Sequence, residues 1–284
     1  MKSRTPAKVP GLPNFNLSSS TSAEHDKAGM SRRSFIRSGV GAFALPMIGA
    51  CSSSPTSVDR DPPRFTARPG TPTETPTLGL SELGLGGGRD GLMYVPESYS
   101  PDTPAPLFVG LHGAGGAGSD WASYPDRAEE RGMVFLAPDS RSYTWDLMTG
   151  PDYYFGPDVE FLDAMLQHTF DRCRIDPTRI ALGGFSDGAS YLISLGLCNG
   201  DLFSHLVAYS PGYYVIVDPW VGTPEIYVSH GQQDDVLSFE HTRDTIVPTL
   251  RESGYDVTFH GFEGGHEVPS EVSEAALDWF LDPA

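Results

Sequence analysis

The sequence predicts an α/β fold with helices on both faces of a mostly parallel central sheet. Short apolar segments of strand length recur along the chain, and segments with the 3.6-residue period of amphipathic helices lie between them. Residues 78–284 contain all of these segments, and this length suffices for one domain with its own core. The alternation therefore indicates a single α/β domain in the C-terminal part of the chain.

The predicted elements begin with an antiparallel hairpin. Residues 78–85 and 92–95 form its strands and flank a glycine-rich turn. Parallel strands are predicted at residues 107–111, 133–137, 179–183, 206–209, 225–229 and 256–262, and helices at residues 119–132, 158–174, 186–198, 239–253 and 270–281. Residues 211–224 are too few to fold as a separate unit, so no large cap domain is expected.

The first 50 residues have the composition and motifs of an export signal. They hold all three lysines and seven of the 19 basic residues, but only two of the 37 acidic ones. The segment Ser31-Arg32-Arg33-Ser34-Phe35-Ile36-Arg37 resembles a twin-arginine signal, and the apolar stretch at residues 38–50 is too short to span a bilayer. Residues 1–50 are therefore predicted to be a twin-arginine-type signal peptide.

A lipidation site is predicted at the end of this signal. The segment Ile48-Gly49-Ala50-Cys51 resembles a lipobox, which implies cleavage before Cys51 and attachment of lipid to its thiol. Several acyl chains on one residue would hold the protein to a membrane face. The expected protein is therefore extracytoplasmic and lipid-anchored.

Residues 51–77 form the second predicted region, a flexible tether. Serine, threonine and proline dominate it, and aliphatic side chains are almost absent. Such a segment buries too little apolar area to offset the entropy cost of ordering it. It is therefore expected to stay extended and mobile, with an r.m.s. reach of about 30 Å.

The acidic charge of the chain excludes several partners. The formal net charge is −18, and no lysine follows residue 50. This charge argues against nucleic-acid binding and against electrostatic docking on anionic lipid. No H-E-x-x-H motif and no Cys/His cluster indicates a metal. The protein is expected to be a monomer.

A candidate nucleophile lies in the segment Gly184-Phe185-Ser186-Asp187-Gly188. This segment stands between a predicted strand and a predicted helix. On such a strand–turn–helix the glycines tolerate the crowded backbone, and the hydroxyl of Ser186 stands clear above the sheet. In a glycine-rich chain the letters alone arise by chance, so the prediction depends on this structural context.

Two downstream loops supply the base and the acid that a nucleophilic serine needs. A serine hydroxyl is almost fully protonated at neutral pH, so a histidine must take its proton and a carboxylate must orient the histidine. Asp234 follows the predicted strand 225–229, and His266 follows the strand 256–262. Because the carboxyl ends of parallel strands share one edge, Ser186, Asp234 and His266 are expected to meet there.

Hydrogen-bond donors for a tetrahedral oxyanion are predicted in two backbone segments. One donor is the N–H of Asp187, directly after the candidate nucleophile, and the other is the N–H of Ala114 in the glycine-rich loop after strand 107–111. His112 and His230, which lie beside strands, are expected to be structural. His112 would brace the oxyanion loop.

These motifs resemble those of α/β-hydrolase esterases, in particular small bacterial carboxylesterases related to poly(3-hydroxybutyrate) depolymerases and to the phospholipase/carboxylesterase group. The matching segments are residues 111–116, 137–141, 184–188, 229–231 with Asp234, and 264–269. The resemblance implies a serine esterase with the triad Ser186, Asp234 and His266 and with no metal or organic cofactor. Serine peptidases and thioesterases share this fold and triad. In the family a proline commonly follows the acid, and here it is Asp235 that follows, so Asp235 is an alternative acid.

Two other classes of protein compete with a serine hydrolase. Residues 113–118 fit G-x-G-x-x-G and Asp139 ends the next strand, which is the layout of a dinucleotide-binding turn. This alternative is an exported NAD(P)-dependent oxidoreductase, although Pro125 interrupts the helix that it needs. The second alternative is a surface binding lipoprotein that keeps the fold without catalysis. The presence of a nucleophile, a base, an acid and oxyanion donors argues against it.

The substrate pocket and the cysteines leave further alternatives open. Trp145, Tyr154 and Tyr213 lie in loops after strands, where they would either line the pocket or pack in the core. Short acyl esters, feruloyl-type esters, polyesters and zwitterionic lipids fit the charge equally well. Cys173 and Cys198 would form either a disulfide or two buried thiols.

Overall fold

The computed structural model describes residues 63–149, 155–215 and 217–282. The predicted signal peptide, Cys51 and Tyr154 lie outside these residues. Within the described ranges, every helix is too short or too polar to cross a bilayer.

An eight-stranded sheet forms the centre of the domain. Its strands are β1 (Gly79–Glu82), β2 (Gly91–Val95), β3 (Ala105–Leu111), β4 (Val134–Pro138), β5 (Ile175–Phe185), β6 (His205–Tyr209), β7 (Glu225–Gly231) and β8 (Val257–Phe262). They lie side by side in the order β1-β2-β4-β3-β5-β6-β7-β8. The pairs β1–β2 and β2–β4 are antiparallel, and all the others are parallel. The predicted mostly parallel sheet is confirmed.

Helices cover both faces of this sheet. They are α1 (Tyr124–Arg131), α2 (Asp146–Thr149), α3 (Pro157–Arg172), α4 (Asp187–Cys198), α5 (Phe239–His241), α6 (Val247–Glu252) and α7 (Ser270–Leu281), with a 3-10 helix at Gly118–Trp121 and a π-helical segment at Thr242–Ile246. Alternate residues of β3 show the two faces. Leu107 and Val109 belong to the core under α3 and α4, whereas Phe108 belongs to the core under α1 and α7.

Two predicted helices are each divided near a proline. The predicted helix 119–132 is a 3-10 helix followed by α1, which has Pro125 in its first turn. The predicted helix 239–253 is α5, a π-helical segment and α6, which has Pro248 in its first turn. Proline has no N–H to donate to the preceding turn, so it fits the start of a helix and interrupts its interior.

Both described cysteines are free thiols. Cys173 and Cys198 are buried and unpaired with each other. Burial raises the pKa of each thiol to about 12. The thiols therefore stay protonated and unreactive at neutral pH.

Residues 63–77, which we call the strap, are packed on the domain, and this corrects the predicted tether 51–77. Phe65 is buried, and its ring packs edge-on against Phe203 at 5.8 Å between centroids. The amide of Asn199 accepts from the N–H of Phe65 at 2.9 Å and donates to the carbonyl of Pro63 at 2.7 Å. The folded domain therefore begins before residue 78.

A carboxylate and a backbone carbonyl of α3 hold further parts of the strap. Asp163 on α3 accepts from the N–H groups of Thr66 and Ala67, each at 2.9 Å. The carbonyl of Asp171 accepts from the N–H groups of Thr73 and Glu74. Composition did not predict this docking, because the strap's backbone is paired by groups that other parts of the chain supply.

Phe65→Ala is expected to lower the free energy of unfolding by about 3 kcal/mol, because it removes a buried ring and leaves a cavity beside Phe203. Leu80→Ala is the matched control, since Leu80 is 54% exposed; its effect should stay below about 0.5 kcal/mol. Urea unfolding followed by circular dichroism measures both values. Equal, small effects in the two variants would show that the strap does not stabilise the domain.

Candidate active site

Ser186 lies at the sharp turn between β5 and α4. Its φ of 58° and ψ of −118° form a backbone conformation that residues other than glycine rarely adopt. Two hydrogen bonds hold it: its N–H donates to the carbonyl of Tyr209 at 2.9 Å, and its carbonyl accepts from the N–H of Ser190 at 3.0 Å. The turn therefore presents the hydroxyl of Ser186 at the carboxyl edge of the sheet.

Two glycines allow the helix after this turn to approach the sheet closely. A Cβ on Gly184 would lie 2.6 Å from the carbonyl carbon of Gly188. A Cβ on Gly188 would lie 2.4 Å from the carbonyl oxygen of Leu111, at the end of β3. Both distances are far below van der Waals contact, so the G-x-S-x-G pattern is a steric requirement here.

His266 joins Ser186 to Asp234. Its Nε2 is 2.9 Å from Oγ of Ser186, and its Nδ1 is 2.7 Å from Oδ2 of Asp234. An ionised carboxylate can only accept, so Nδ1 carries the proton and Nε2 is free to accept from the serine hydroxyl. The imidazole also packs on Phe185, with 4.7 Å between centroids. The structure thus brings the three predicted residues together.

Asp234, and not Asp235, is the carboxylate that contacts His266. The side chain of Asp234 is fully buried, whereas Asp235 is exposed. Burial by itself raises the pKa of Asp234, but the hydrogen bonds from the N–H of Leu237, from His266 and from the N–H of Val236 outweigh it. The pKa therefore lies below its ordinary value, and the carboxylate is ionised at neutral pH.

The predicted oxyanion donors belong to two segments next to Ser186. Asp187 is the first residue of α4, so its N–H has no acceptor within the helix. Ala114 follows Gly113, and a Cβ on Gly113 would lie only 3.3 Å from Cβ of Ser186. The loop after β3 therefore passes directly against the nucleophile turn.

His112 stabilises this loop through hydrogen bonds of its imidazole ring. Its Nε2 accepts from the backbone N–H of Ser140 at 2.9 Å, so its Nδ1 carries the proton and donates to the carbonyl of Gly113 at 2.7 Å. Burial lowers the pKa of His112, which keeps the ring neutral. The neutral ring thereby fixes the peptide unit that contains the N–H of Ala114.

Trp145 also supports this loop, and of its two predicted places the core is right and the substrate pocket is wrong. The side chain has no exposed surface, its indole N–H donates to the carbonyl of His112 at 2.8 Å, and its ring stacks on Tyr191. A fully buried ring cannot contact a substrate. Tyr154 lies outside the described residues. Tyr213 is half-buried in the loop after β6 and stays a predicted pocket residue.

The two residues before Trp145 bind the loop after β3 and the first residue of α4. The carbonyl of Tyr143 accepts from the N–H of Gly115 at 2.7 Å, and the hydroxyl of Thr144 donates to Oδ2 of Asp187 at 2.9 Å. Residues 143–145, which we call the brace, thus connect the loop after β3 to the start of α4. No sequence motif marks the brace, because it forms only where β4, β3 and β5 lie side by side.

The glycine-rich loop lacks the features of a dinucleotide-binding turn. A four-residue 3-10 helix follows it instead of a long helix, and Oδ1 of Asp139 accepts from the N–H of Gly118 at 2.7 Å. The carboxylate that would bind a ribose is therefore engaged with the loop itself. Among the described residues, no group of three or more His, Cys, Asp or Glu side chains could hold a metal ion.

The sheet and the nucleophile turn together define an α/β-hydrolase fold, and solved esterase structures share it. The crystal structure of esterase PE8 matches with a TM-score of 0.54 and 23% identity, over 67% of this chain and 97% of that one. No protein-family model matches the chain.

Curated relatives include esterases and a thioesterase. Feruloyl esterase B of Thermothelomyces thermophilus is 30% identical over 126 residues, which make up 42% of each protein. Acyl-protein thioesterase 1 of Emericella nidulans is 23% identical over 210 residues, or 60% of this chain and 87% of that protein. The matches to feruloyl esterases span 42 to 61% of the length of those proteins.

Thr144→Val is expected to lower kcat of ester hydrolysis by about 10-fold with little change in KM, because it releases Asp187, whose N–H would serve the transition state more than the bound ester. Thr169→Val is the matched control, since this buried hydroxyl bonds to the carbonyl of Met165 within α3. Steady-state kinetics of both variants tests the brace. A loss of kcat as large in the control would assign the effect to stability instead.

Proposed function

We propose that the protein is a serine hydrolase that cleaves carboxylic esters through an acyl-enzyme intermediate. The observation that carries this proposal is the hydrogen-bonded series from Oγ of Ser186 through His266 to Asp234, with distances of 2.9 and 2.7 Å. The similarity to feruloyl esterases supports the same class of reaction. The alternatives of an oxidoreductase and of a non-catalytic binding protein have no comparable support.

Acylation would begin with attack by Ser186 on the ester carbonyl carbon. Nε2 of His266 takes the hydroxyl proton as the Oγ–C bond forms, and the carbonyl electron pair moves onto the oxygen. The N–H groups of Ala114 and Asp187 would stabilise that oxyanion. When the intermediate collapses, the ester C–O bond breaks and the leaving oxygen takes the proton from His266, so the alcohol departs.

Deacylation would repeat these steps with water as the nucleophile. His266, neutral again, takes a proton from the water that attacks the acyl carbon, and then returns it to Oγ of Ser186 as the acid leaves. Asp234 stabilises the imidazolium in both half-reactions through the proton on Nδ1. No metal or organic cofactor is required by this sequence of steps.

An exposed aromatic ring at the oxyanion loop favours an aromatic acyl group as the substrate class. Tyr143 is 70% exposed, and its ring lies over Gly115, where a Cβ would come within 2.9 Å of it. Such a ring offers a stacking surface beside the loop that carries the N–H of Ala114. Feruloyl-type esters carry the matching aromatic group, and several relatives are named for them.

Hydrolysis of acyl thioesters is the second candidate function. Its support is the match to acyl-protein thioesterase 1 over 87% of that protein. The same triad and oxyanion donors would serve this reaction. An oxoester and a thioester with the same acyl group separate the two candidates, since a higher kcat/KM for the thioester would select the second.

Export and lipid anchoring through Cys51 are also proposed. Their support is the pair of motifs at residues 31–37 and 48–51. Partition of wild type and Cys51→Ala between detergent and aqueous phases tests the anchor, and identical partition would refute it.

Ser186→Ala is expected to abolish labelling by a fluorophosphonate probe and to lower kcat for p-nitrophenyl acetate by about 10⁴-fold or more, because it removes the nucleophile. Ser98→Ala is the control, because Ser98 is exposed and distant from Ser186 in the sequence, and it should keep full labelling. Gel fluorescence and initial rates measure the two effects. If the wild type is neither labelled nor active on any ester, the proposed function is wrong.

Tyr143→Ala is expected to lower kcat/KM for methyl ferulate about 5-fold while changing that for methyl acetate less than about 2-fold, because only the aromatic acyl group can stack on the ring. Tyr143→Phe keeps the ring and the backbone contact to Gly115, so it should behave as wild type on both esters. Competition between the two esters measures the ratio directly. Equal losses on both would contradict a role in acyl selection.

A further inference from the structure

We propose that His230 is a positioning residue of the triad, which fixes the carboxylate of Asp234 toward His266 while itself staying neutral. This inference rests on the proposed function and deepens it, because it concerns a second histidine on the same carboxylate. The two imidazoles would then have different tasks: His266 transfers the proton, and His230 holds its partner in place.

The end of β7 places His230 directly beside the acid loop. Its side chain is fully buried, and its Nε2 lies 3.0 Å from the carbonyl oxygen of Leu237 and 3.1 Å from Oδ2 of Asp234. Both of these oxygens can only accept, so Nε2 carries the hydrogen and directs it to the two of them. One imidazole N–H therefore contacts both ends of the loop 234–237.

The carboxylate of Asp234 depends on His230 for half of the contacts at one oxygen. Oδ1 accepts from the N–H groups of Val236 and Leu237 at 2.9 and 2.8 Å. Oδ2 has Nδ1 of His266 at 2.7 Å and Nε2 of His230 at 3.1 Å. Without His230, Oδ2 would keep its contact to His266 but lose the second one, so the carboxylate would be less firmly oriented.

The surroundings of the two histidines decide which one accepts a proton. Nδ1 of His230 is buried and has no hydrogen-bond partner among the described residues, and its ring meets the edge of Phe239. Protonation would place an unpaired N–H and a charge at this apolar site. The titratable groups that face it are Asp234 and His266, and burial lowers the pKa of His230.

His266 differs in each of these respects. Its Nε2 has a partner in the hydroxyl of Ser186, and its side chain is 15% exposed. The proton that Ser186 releases therefore goes to His266, although both rings contact the same carboxylate. A neutral His230 can donate to Asp234 throughout the reaction cycle.

Removal of His230 should have two separable effects. Asp234 loses an orienting contact, so kcat falls while KM stays the same. Oδ2 also loses a donor that withdraws part of its charge, so the carboxylate stabilises the imidazolium form of the base more strongly. The acidic limb of the pH profile of kcat/KM should then move to higher pH, an effect that a purely structural residue would not produce.

The test compares His230→Leu and His230→Gln with wild type. The leucine variant should lose about 10-fold in kcat and shift the acidic limb upward by about 0.5 pH unit. The glutamine variant keeps an N–H donor near the position of Nε2, and it should return kcat to within about 3-fold and the limb to its original place. His205→Leu is the control, because this half-buried histidine packs on Trp279 and Phe280 away from the triad.

Several outcomes would overturn the proposal. A folded leucine variant with unchanged kcat and pH profile would do so, and so would a folded glutamine variant with the full loss of activity. If the leucine variant does not fold, the glutamine variant alone carries the test, and near-wild-type kinetics support it. Circular dichroism establishes folding in each case. Absence of any esterase activity in the wild type would instead refute the proposed function. In that case the downfield proton resonance of the His266–Asp234 hydrogen bond would still test the role of His230. The proposal expects this resonance to shift in the leucine variant and not in the glutamine variant.

Discussion

The site depends on one steric constraint, the close approach of the N-terminus of α4 to the end of β3. Gly184 and Gly188 permit this approach, since a Cβ at either position would collide with backbone atoms. It brings the strained turn at Ser186, the first N–H of α4 and the loop after β3 into contact. The brace and His112 then fix these segments relative to one another. A nucleophile and its oxyanion donors therefore come from parts of the chain that are far apart in sequence.

The site depends equally on an ionised carboxylate at Asp234. Burial alone would favour its protonated form, but the hydrogen bonds that converge on its two oxygens keep it ionised. The same carboxylate orients His266, and the turn that follows it supplies two of its donors. The acid loop is thus a preorganised unit whose geometry exists before any substrate binds.

The sequence predicted the parts that follow from local patterns and from the rule that parallel strands end at one edge. That rule placed Ser186, Asp234 and His266 together, but it could not separate Asp234 from Asp235, because the choice depends on which carboxylate meets the N–H groups of a turn. The sequence left both the pocket and the core open for Trp145 for a related reason. The sequence of a loop does not show whether an aromatic side chain in it is exposed to solvent or buried against a neighbouring loop. The strap was missed because Asn199 and Asp163, far along the chain, pair its backbone.

The docked strap also fixes where the N-terminal end of the described domain lies relative to the nucleophile. Asn199, which grips the strap at Pro63 and Phe65, directly follows α4, whereas the nucleophile directly precedes that helix. The two points are separated by the length of α4, about 18 Å along its axis. An attachment made at Pro63 would therefore lie at the opposite end of α4 from the nucleophile.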